Sequence, residues 1–401
     1  MSKNKNNGNG GALFTKRRGG SVTGFSLIEL MVGIVVSLIC TLAIMAAFAI
    51  FEGQKRTTSA GDDAQQNGSY ALYYLERQIR TAGSGLVQGN LWGIWGCPVV
   101  GKTSGVGVAV PAAPASLPFS IWPSTTRAVS VLIESGGSNN VSDVIGVVSG
   151  SAAARVFVAP VANPPSATGN TSVTLSNSFG IQNGDYLLGV TANSPTNGCP
   201  LALSNSAPAA NVISLDSANS VASGLTGATS VFDLGPDPIM SLYGVDPTIN
   251  SLVTYDLLQR PINGVAAANI PVADGIVLIK ALYGVHDGTC GSDADCIGSW
   301  QAPTGNWAIG TLSPTALSAT SVTTAATAMN SIKAIRVAVV AQSRISQRSS
   351  DYSPVGGGTS ITLFTDLPAA QQIQVTTDPT YRYKIYDTTI PIRNAQIQKY
   401  F

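Results

Sequence analysis

Charge is scarce in this chain of 401 residues: Asp, Glu, Lys and Arg together make up 11%, against roughly 25% in ordinary globular proteins. The balance is close to neutral, with 22 basic and 21 acidic side chains. That argues against a dedicated nucleic-acid binder, which carries a strong basic excess. Histidine is almost missing. His286 stands alone, which excludes a multi-histidine zinc site and leaves no other imidazole as a general base. No Ser/His/Asp set and no paired-carboxylate arrangement is visible, so neither an enzyme activity nor a cofactor is expected. What the chain does have is 44% hydrophobic residues, 42 glycines and 22 prolines. These supply a large core and many turns, and wholesale disorder is excluded.

The N-terminus is differently built. Residues 1–24 hold Lys3, Lys5, Lys16, Arg17 and Arg18 and no acid; the remainder has 17 basic against 21 acidic residues. From Phe25 to Phe51 there is no proline and a single charge, Glu29. A helix of this length at ~1.5 Å per residue exceeds the ~30 Å hydrocarbon core of a bilayer. The basic block before it predicts a cytoplasmic N-terminus and an exported C-terminal side. No small-residue cleavage site follows the apolar run, which is also too long for a secretory signal peptide. A plain signal anchor leaves Glu29 unexplained, because an ionised carboxylate in an apolar helix costs at least ~2.5–3.5 kcal/mol without a partner. A cut between Gly24 and Phe25 would put a new α-amine one turn from Glu29, or present it to that of a neighbouring subunit.

Gly24-Phe-Ser-Leu-Ile-Glu29-Leu-Met-Val32 resembles the class III leader junction of type IV pilins and of type II secretion pseudopilins. The resemblance implies that a prepilin peptidase cuts after Gly24 and that the amine of Phe25 is methylated. Asn67 to Gly83 looks like the segment after the membrane helix in minor pilins of the PilW type. Ala273–Val285, Ser331–Val340 and Thr389–Asn394 are similar to strands of that family. The likeness covers the first ~85 residues well and the last ~130 in patches, and residues 86–230 match nothing in it.

The helical signal continues past Phe51. Ala71, Tyr74, Leu75, Ile79 and Ala82 share one face, Glu76 and Arg80 form an i,i+4 pair on another, and Gly83 and Gly85 read as the stop. A helix of about 60 residues, with weak points at Gly53 and Gly61, is expected. Beyond it, strand-like runs fall at 128–133, 155–158, 172–175, 186–190 and 229–232. Between 86 and 230 only Lys102, Arg127, Glu134, Asp143, Arg155, Asp185 and Asp216 are charged. Pro111–Pro123 and Ala159–Thr171 read as loops, and 320–334 as a short helix before a strand at 334–341. Ile361–Thr365 and Tyr381–Ile392 read as the last strands. Leu-Tyr-Gly-Val occurs at 242–245 and 282–285, a short repeat that could mark two matching strand-turn edges.

Cys40 lies in the apolar helix and reads as a small packing residue. Cys97, Cys199, Cys290 and Cys296 lie in the exported part, where an even count favours two disulfides over free buried thiols. Three connectivities exist for four cysteines. The short spacing between Cys290 and Cys296 makes their pairing the simplest, which leaves Cys97 for Cys199.

Several motifs invite other readings. Gly96-Cys-Pro-Val-Val-Gly-Lys102-Thr103 fits a phosphate-loop pattern. A strand- or loop-like segment follows where a helix is needed, and Pro98 removes an amide, so coincidence is the better reading. Asp287, Asp293 and Asp295 could offer oxygen to calcium, but they lack the EF-hand order and read as a solvated acidic turn. Arg382, Lys384 and Arg393 interleave with Tyr381, Tyr383 and Tyr386 as in single-strand nucleic-acid sites. Alternation along a half-buried strand explains the same pattern. His286 reads as a loop residue.

The expected fold is α+β: a long N-terminal helix, with a membrane or filament half and an amphipathic half, packed on a β-rich pilin-type domain. The expected divisions are a leader at 1–24, an apolar helix at 25–51, its amphipathic continuation at 52–85 and the β-rich domain at 86–401. The resemblance implies a minor pilin that primes filament growth near the tip. It would sit in the inner membrane with a periplasmic C-terminal domain, then in the pilus. The implied partners are other minor pilins, the major pilin, the prepilin peptidase, the inner-membrane assembly platform and a tip adhesin. The alternatives are a J-type pseudopilin of type II secretion, whose usual length is much shorter, and a membrane-anchored periplasmic binding domain.

Overall fold

With no proline between Phe25 and Thr81, a single helix can run uninterrupted. It does so as α1, Leu27–Thr81, with Gly53 and Gly61 inside it. The computed structural model describes residues 24–86, 96–101, 117–123, 126–151, 158–162, 171–191, 198–206, 209–217, 220, 224–258, 269–290, 296–313, 319–344, 346 and 359–396. The leader is outside the described residues apart from Gly24. The chain divides into two units between Thr57 and Thr58, a little beyond the expected end of the apolar run at Phe51.

In the first unit the described side chains of α1 are exposed throughout. In the second, Ala64, Gly68, Ala71, Leu75, Ile79 and Ala82 are buried. Their mixed three- and four-residue spacing is the stripe that a 3.6-residue turn places on one side. Tyr74, expected on that face, is half-buried at its margin, with its ring 5.9 Å from that of Tyr243. Gly68 has no room for a side chain, because a Cβ there would overlap the ring of Tyr386. The helix stops where Gly83 takes a φ of +78°, a conformation cheap only for glycine. The Gly83 amide donates to the carbonyl of Val148 (2.8 Å), and Asn394 Nδ2 donates to the carbonyl of Ala82 (2.8 Å). The second satisfies a carbonyl that the helix end leaves open, and the first ties the chain leaving the helix to β3.

The remaining described chain is mainly strands. The first are β1 (Val99–Val100), β2 (Val131–Glu134), β3 (Val144–Ser149), β4 (Val158–Pro160), β5 (Ser172–Thr174) and β6 (Tyr186–Thr191). Next come β7 (Cys199–Leu203), β8 (Val212–Ser214), β9 (Ala228–Gly235), β10 (Ile239–Asp246), β11 (Ser251–Asp256) and β12 (Ile270–Asp274). The last are β13 (Ile276–Val285), β14 (Ser299–Gln301), β15 (Ile332–Gln342), β16 (Ser360–Leu363), β17 (Ile373–Thr376) and β18 (Tyr383–Pro391). Short helices are α2 (Ile309–Leu312), α3 (Ala319–Ser331) and α4 (Arg393–Gln396). The expected short helix before the long strand is α3. Ala159 and Pro160, read as loop, belong to β4 at its pairing with β9.

Three sheets carry the architecture, in the orders β1-β7-β6-β9-β4, β12-β11-β10-β3-β2 and β14-β13-β15-β18. The buried face of α1 shares one core with residues of all three, including Leu188, Leu242, Tyr243, Ile279, Tyr283, Val337 and Val339. Tyr243 and Tyr283 are the tyrosines of the two Leu-Tyr-Gly-Val copies. Both are buried in mid-sheet strands, and the two copies lie at the ends of β10 and β13, where each strand gives way to a turn or loop, as the repeat suggests. On the far side of the third sheet, β16 and β17 form a separate two-stranded ribbon over Leu278, Leu282, Ala338 and Val340. Arg336 ties this ribbon down. Its guanidinium lies 5.2 Å from the Phe364 ring centre and 5.9 Å from that of Trp300, and it hydrogen-bonds Asp366 and Asp387. The two carboxylates push the guanidinium pKa up and that of Asp366 down.

β3 and β10 are antiparallel neighbours, with Ser149 opposite Ile239. The segment 150–238 between those paired ends holds β4 to β9 and a core of its own, built from Val173, Leu175, Ile181, Leu187, Ile213, Leu225 and Val231 among others. This inserted lobe is tied back by the parallel pairing of β1 with β7 and by the disulfide Cys97–Cys199. Gly96 to Val100 therefore enter a strand, not a phosphate loop, and Lys102 and Thr103 lie outside the described residues.

A buried ion pair stitches the second sheet to the third. Lys280 Nζ on β13 is 2.9 Å from Asp143 Oδ1, with side chains 5% and 3% exposed. Asp143 also accepts from the amides of Gly136 (3.0 Å) and Ala281 (3.0 Å), and Lys280 donates to the carbonyl of Ser138 (2.9 Å). Burial pushes the Asp143 carboxyl up, while Lys280 and the two amides pull it back. Beside it Tyr283 Oη accepts from the Ile133 amide (2.6 Å).

Candidate assembly surface

The chemistry the sequence singles out begins at Gly24 and Phe25, which precede α1. Phe25 is 85% exposed, and every large apolar side chain from Leu27 to Phe51 is more than half exposed. The helix from Leu27 to Lys55 is long and apolar enough to cross a bilayer. Such a surface is unstable in water: each of these side chains forgoes ~1.5–3 kcal/mol of burial. It must be covered by lipid or by other apolar helices. The few polar groups in it are satisfied internally, as Ser37 Oγ donates to the Ile34 carbonyl (2.9 Å) and Thr41 Oγ1 to that of Ser37 (2.7 Å). Cys40 is an exposed free thiol on the same surface.

Glu29 has a partner that the sequence reading missed. Its Oε2 accepts from the backbone amide of Ser26 (3.3 Å). Ser26 immediately precedes the first helical residue, so Glu29 is the third residue of the helix. Ser-x-x-Glu before an apolar run is a capping-box signature, legible at 26–29 without any structure. A carboxylate in this first turn also faces the positive end of the helix dipole. The helix N-terminus thus supplies part of what an isolated acid in an apolar run lacks.

The four cysteines beyond α1 form the pairs Cys97–Cys199 and Cys290–Cys296. Cys97 and Cys199 are buried, at 2% and 0% exposure; Cys290 and Cys296 are half-buried. His286 is placed beside the second pair, its Nδ1 3.6 Å from Cys296 Sγ. Asp287 is exposed, and its carboxylate accepts from the Thr289 hydroxyl (2.6 Å) and amide (3.0 Å), which lower its pKa to about 2. Asp293 and Asp295 lie outside the described residues. Among the described residues no group of three or more His, Cys, Asp or Glu is placed to hold a metal.

The tyrosines near the C-terminus serve the fold. Tyr386 Oη donates to the Gln65 carbonyl (3.0 Å) across Gly68, and Tyr383 Oη accepts from the Asp378 amide (3.1 Å). They pack on opposite faces of β18, Tyr386 against the core shared with α1 and Tyr383 against that of the ribbon, so a simple inward–outward alternation of tyrosine and cation does not account for them; Lys384 is exposed between them. A shallow cleft of about 850 Å³ separates α1 from β12, lined by Tyr70, Tyr73, Pro271 and Val272 among others.

No curated protein and no solved structure matches this chain. A family model described as type IV pilus-assembly protein W matches residues 243–394, less than half of the chain, from mid-β10 into α4.

Proposed function

We propose that this chain is a minor pilin that takes part in type IV pilus assembly. The observation that carries the reading is the family match over 243–394. That stretch contains β13, β15 and β18, the sheet whose inner face shares a core with the second half of α1. The bare apolar surface of Leu27–Lys55 supports it, as do Gly24, Phe25 and Glu29 at the positions of a prepilin junction. In this reading the chain is not an enzyme and works by packing. The precursor waits in the inner membrane with its β-rich unit in the periplasm. Prepilin peptidase removes residues 1–24, and Phe25 is N-methylated. The mature helix leaves lipid for contact with other minor pilins and the major pilin at the assembly platform, priming a filament whose tip it occupies with an adhesin. Glu29 then has two donors in reach, the Ser26 amide and the α-amine of Phe25 or of a neighbouring subunit.

Mass spectrometry of the protein recovered from pilus-forming cells tests the first step. N-methyl-Phe25 as the terminal residue is expected, and a chain retaining Met1 would refute the reading. Affinity capture of the mature protein from solubilised membranes should recover pilins. Recovery of secretion pseudopilins in their place would move it to the type II apparatus.

A further inference from the structure

The two disulfides sit in different surroundings. Cys97–Cys199 is shut inside the protein, beneath the β1–β7 pairing. Cys290–Cys296 lies in the connection from β13 to β14, half-buried, with an imidazole against one of its two sulfurs. His286 is held there by its backbone, since its amide donates to the Ser331 carbonyl (2.8 Å) at the end of α3. The returning strand is fixed in turn by the bond from the Gly298 amide to the Val285 carbonyl (2.8 Å). The backbone on either side of the disulfide is thus held, and the imidazole it carries contacts Cys296 Sγ.

That asymmetry matters in thiol–disulfide exchange. An incoming thiolate attacks one sulfur and expels the other as a thiolate, and the reaction runs faster when the departing thiolate is stabilised. Histidine beside a cysteine is a recurrent way to stabilise it. We propose that Cys290–Cys296 is a thiol–disulfide exchange site, attacked at Cys290, with His286 stabilising the departing Cys296 thiolate. The partner is a carrier protein with a vicinal dithiol or disulfide.

In the reducing direction the carrier's first thiolate forms a bond to Cys290 Sγ. The Cys290–Cys296 bond breaks, and its electron pair leaves on Cys296 Sγ, which accepts a hydrogen bond from Nδ1–H of His286. The carrier's second thiolate then attacks its own sulfur in the mixed disulfide and expels Cys290 as a thiolate, and the Cys290 and Cys296 thiolates each take a proton from solvent. The carrier ends as a disulfide and this chain as a dithiol, two electrons having passed. The oxidising direction is the reverse. Opening the bond loosens the connection into β14, whose Trp300 lies over Arg336 and, through Arg336, the β16–β17 ribbon.

The test uses the full chain in detergent micelles with reduced glutathione as the probe. Samples are quenched over time with N-ethylmaleimide and mapped as peptides. Cys290–Cys296 should open at least ~10-fold faster than Cys97–Cys199, with the transient intermediate carrying glutathione on Cys290 and maleimide on Cys296. His286→Gln should slow opening roughly 10-fold. Glutathione on Cys296, equal rates for the two disulfides, or an unchanged rate in His286→Gln would each overturn the assignment. The adduct position is read on the unsubstituted chain, so it decides the matter even where His286→Gln disturbs folding.

Discussion

Replacing Lys280 with methionine should unfold this protein far more readily than its lack of any surface role suggests. Lys280 and Asp143 are both almost fully buried, and their contact joins the second sheet to the third. Methionine fills much of the same volume, so the packing loss is small. What remains is a carboxylate with the Gly136 and Ala281 amides but no cation. Breaking a buried pair from one side costs ~3–5 kcal/mol, because the remaining charge is left in a poorly polarisable interior. The Ser138 carbonyl loses its donor as well. In urea titrations of the full chain in micelles, followed by tryptophan fluorescence, Lys280→Met should lose roughly 3–5 kcal/mol. The double substitution Lys280→Met with Asp143→Leu should recover much of that loss, since an apolar pair of similar volume is often neutral or better. A loss below ~1 kcal/mol in the single variant, the size expected of an exposed pair, would refute the argument.

Glu29→Gln keeps a side chain able to cap the Ser26 amide and removes only the charge. It should leave the protein membrane-bound and cleaved after Gly24 while weakening pilin capture and surface piliation; normal piliation would remove the charge-pairing role. Gly68→Val should cost several kcal/mol by wedging α1 from the Tyr386 ring, measured as a lower urea midpoint. Burial holds the carboxyls of Asp233 and Glu134 up at about 7, above ordinary values of 3.8 and 4.5. The stability they contribute is complete below about pH 4 and is lost as the pH rises through 7. The stability of the unsubstituted chain minus that of Asp233→Asn should therefore fall from pH 4 to pH 7, and a value that rose would reverse the sign of the argument.

Local patterns carried much of the fold into view. Helix α1 follows from an apolar run without proline, its buried stripe from spacing, and its end from Gly83. The disulfide pairs follow from compartment and spacing. The pairing of β3 with β10 does not, because the segment 150–238 separates strands whose contact is spatial. Residues 239–256 make the β10–β11 hairpin, and both its strands are buried on both faces over much of their length. Near-continuous burial replaces the alternation by which a strand is usually read. Nothing local marks Asp143, Lys280 and Arg336 as paired, since an ion pair between strands depends on a partner far along the chain. At the candidate surface the apolar run and Glu29 were legible. Its Ser26 partner was equally so, and was missed because the carboxylate was weighed as a membrane cost and not as a helix cap.

The lobe at 150–238 leaves and re-enters the protein at positions that face each other across one rung of a ladder. A short turn could close Ser149 onto Ile239 without shifting any strand of the second sheet. The family match begins at residue 243, just past the re-entry point. The lobe is thus a cassette for the second sheet alone: Leu188, Leu201, Phe232 and Leu234 leave with it, so a replacement must refill those places in the core around α1. A second condition travels with it. Cys199 departs with the lobe while Cys97 stays behind, so a cassette swapped alone breaks that disulfide. Exchange of this segment between related chains should therefore show both cysteines gained or lost together.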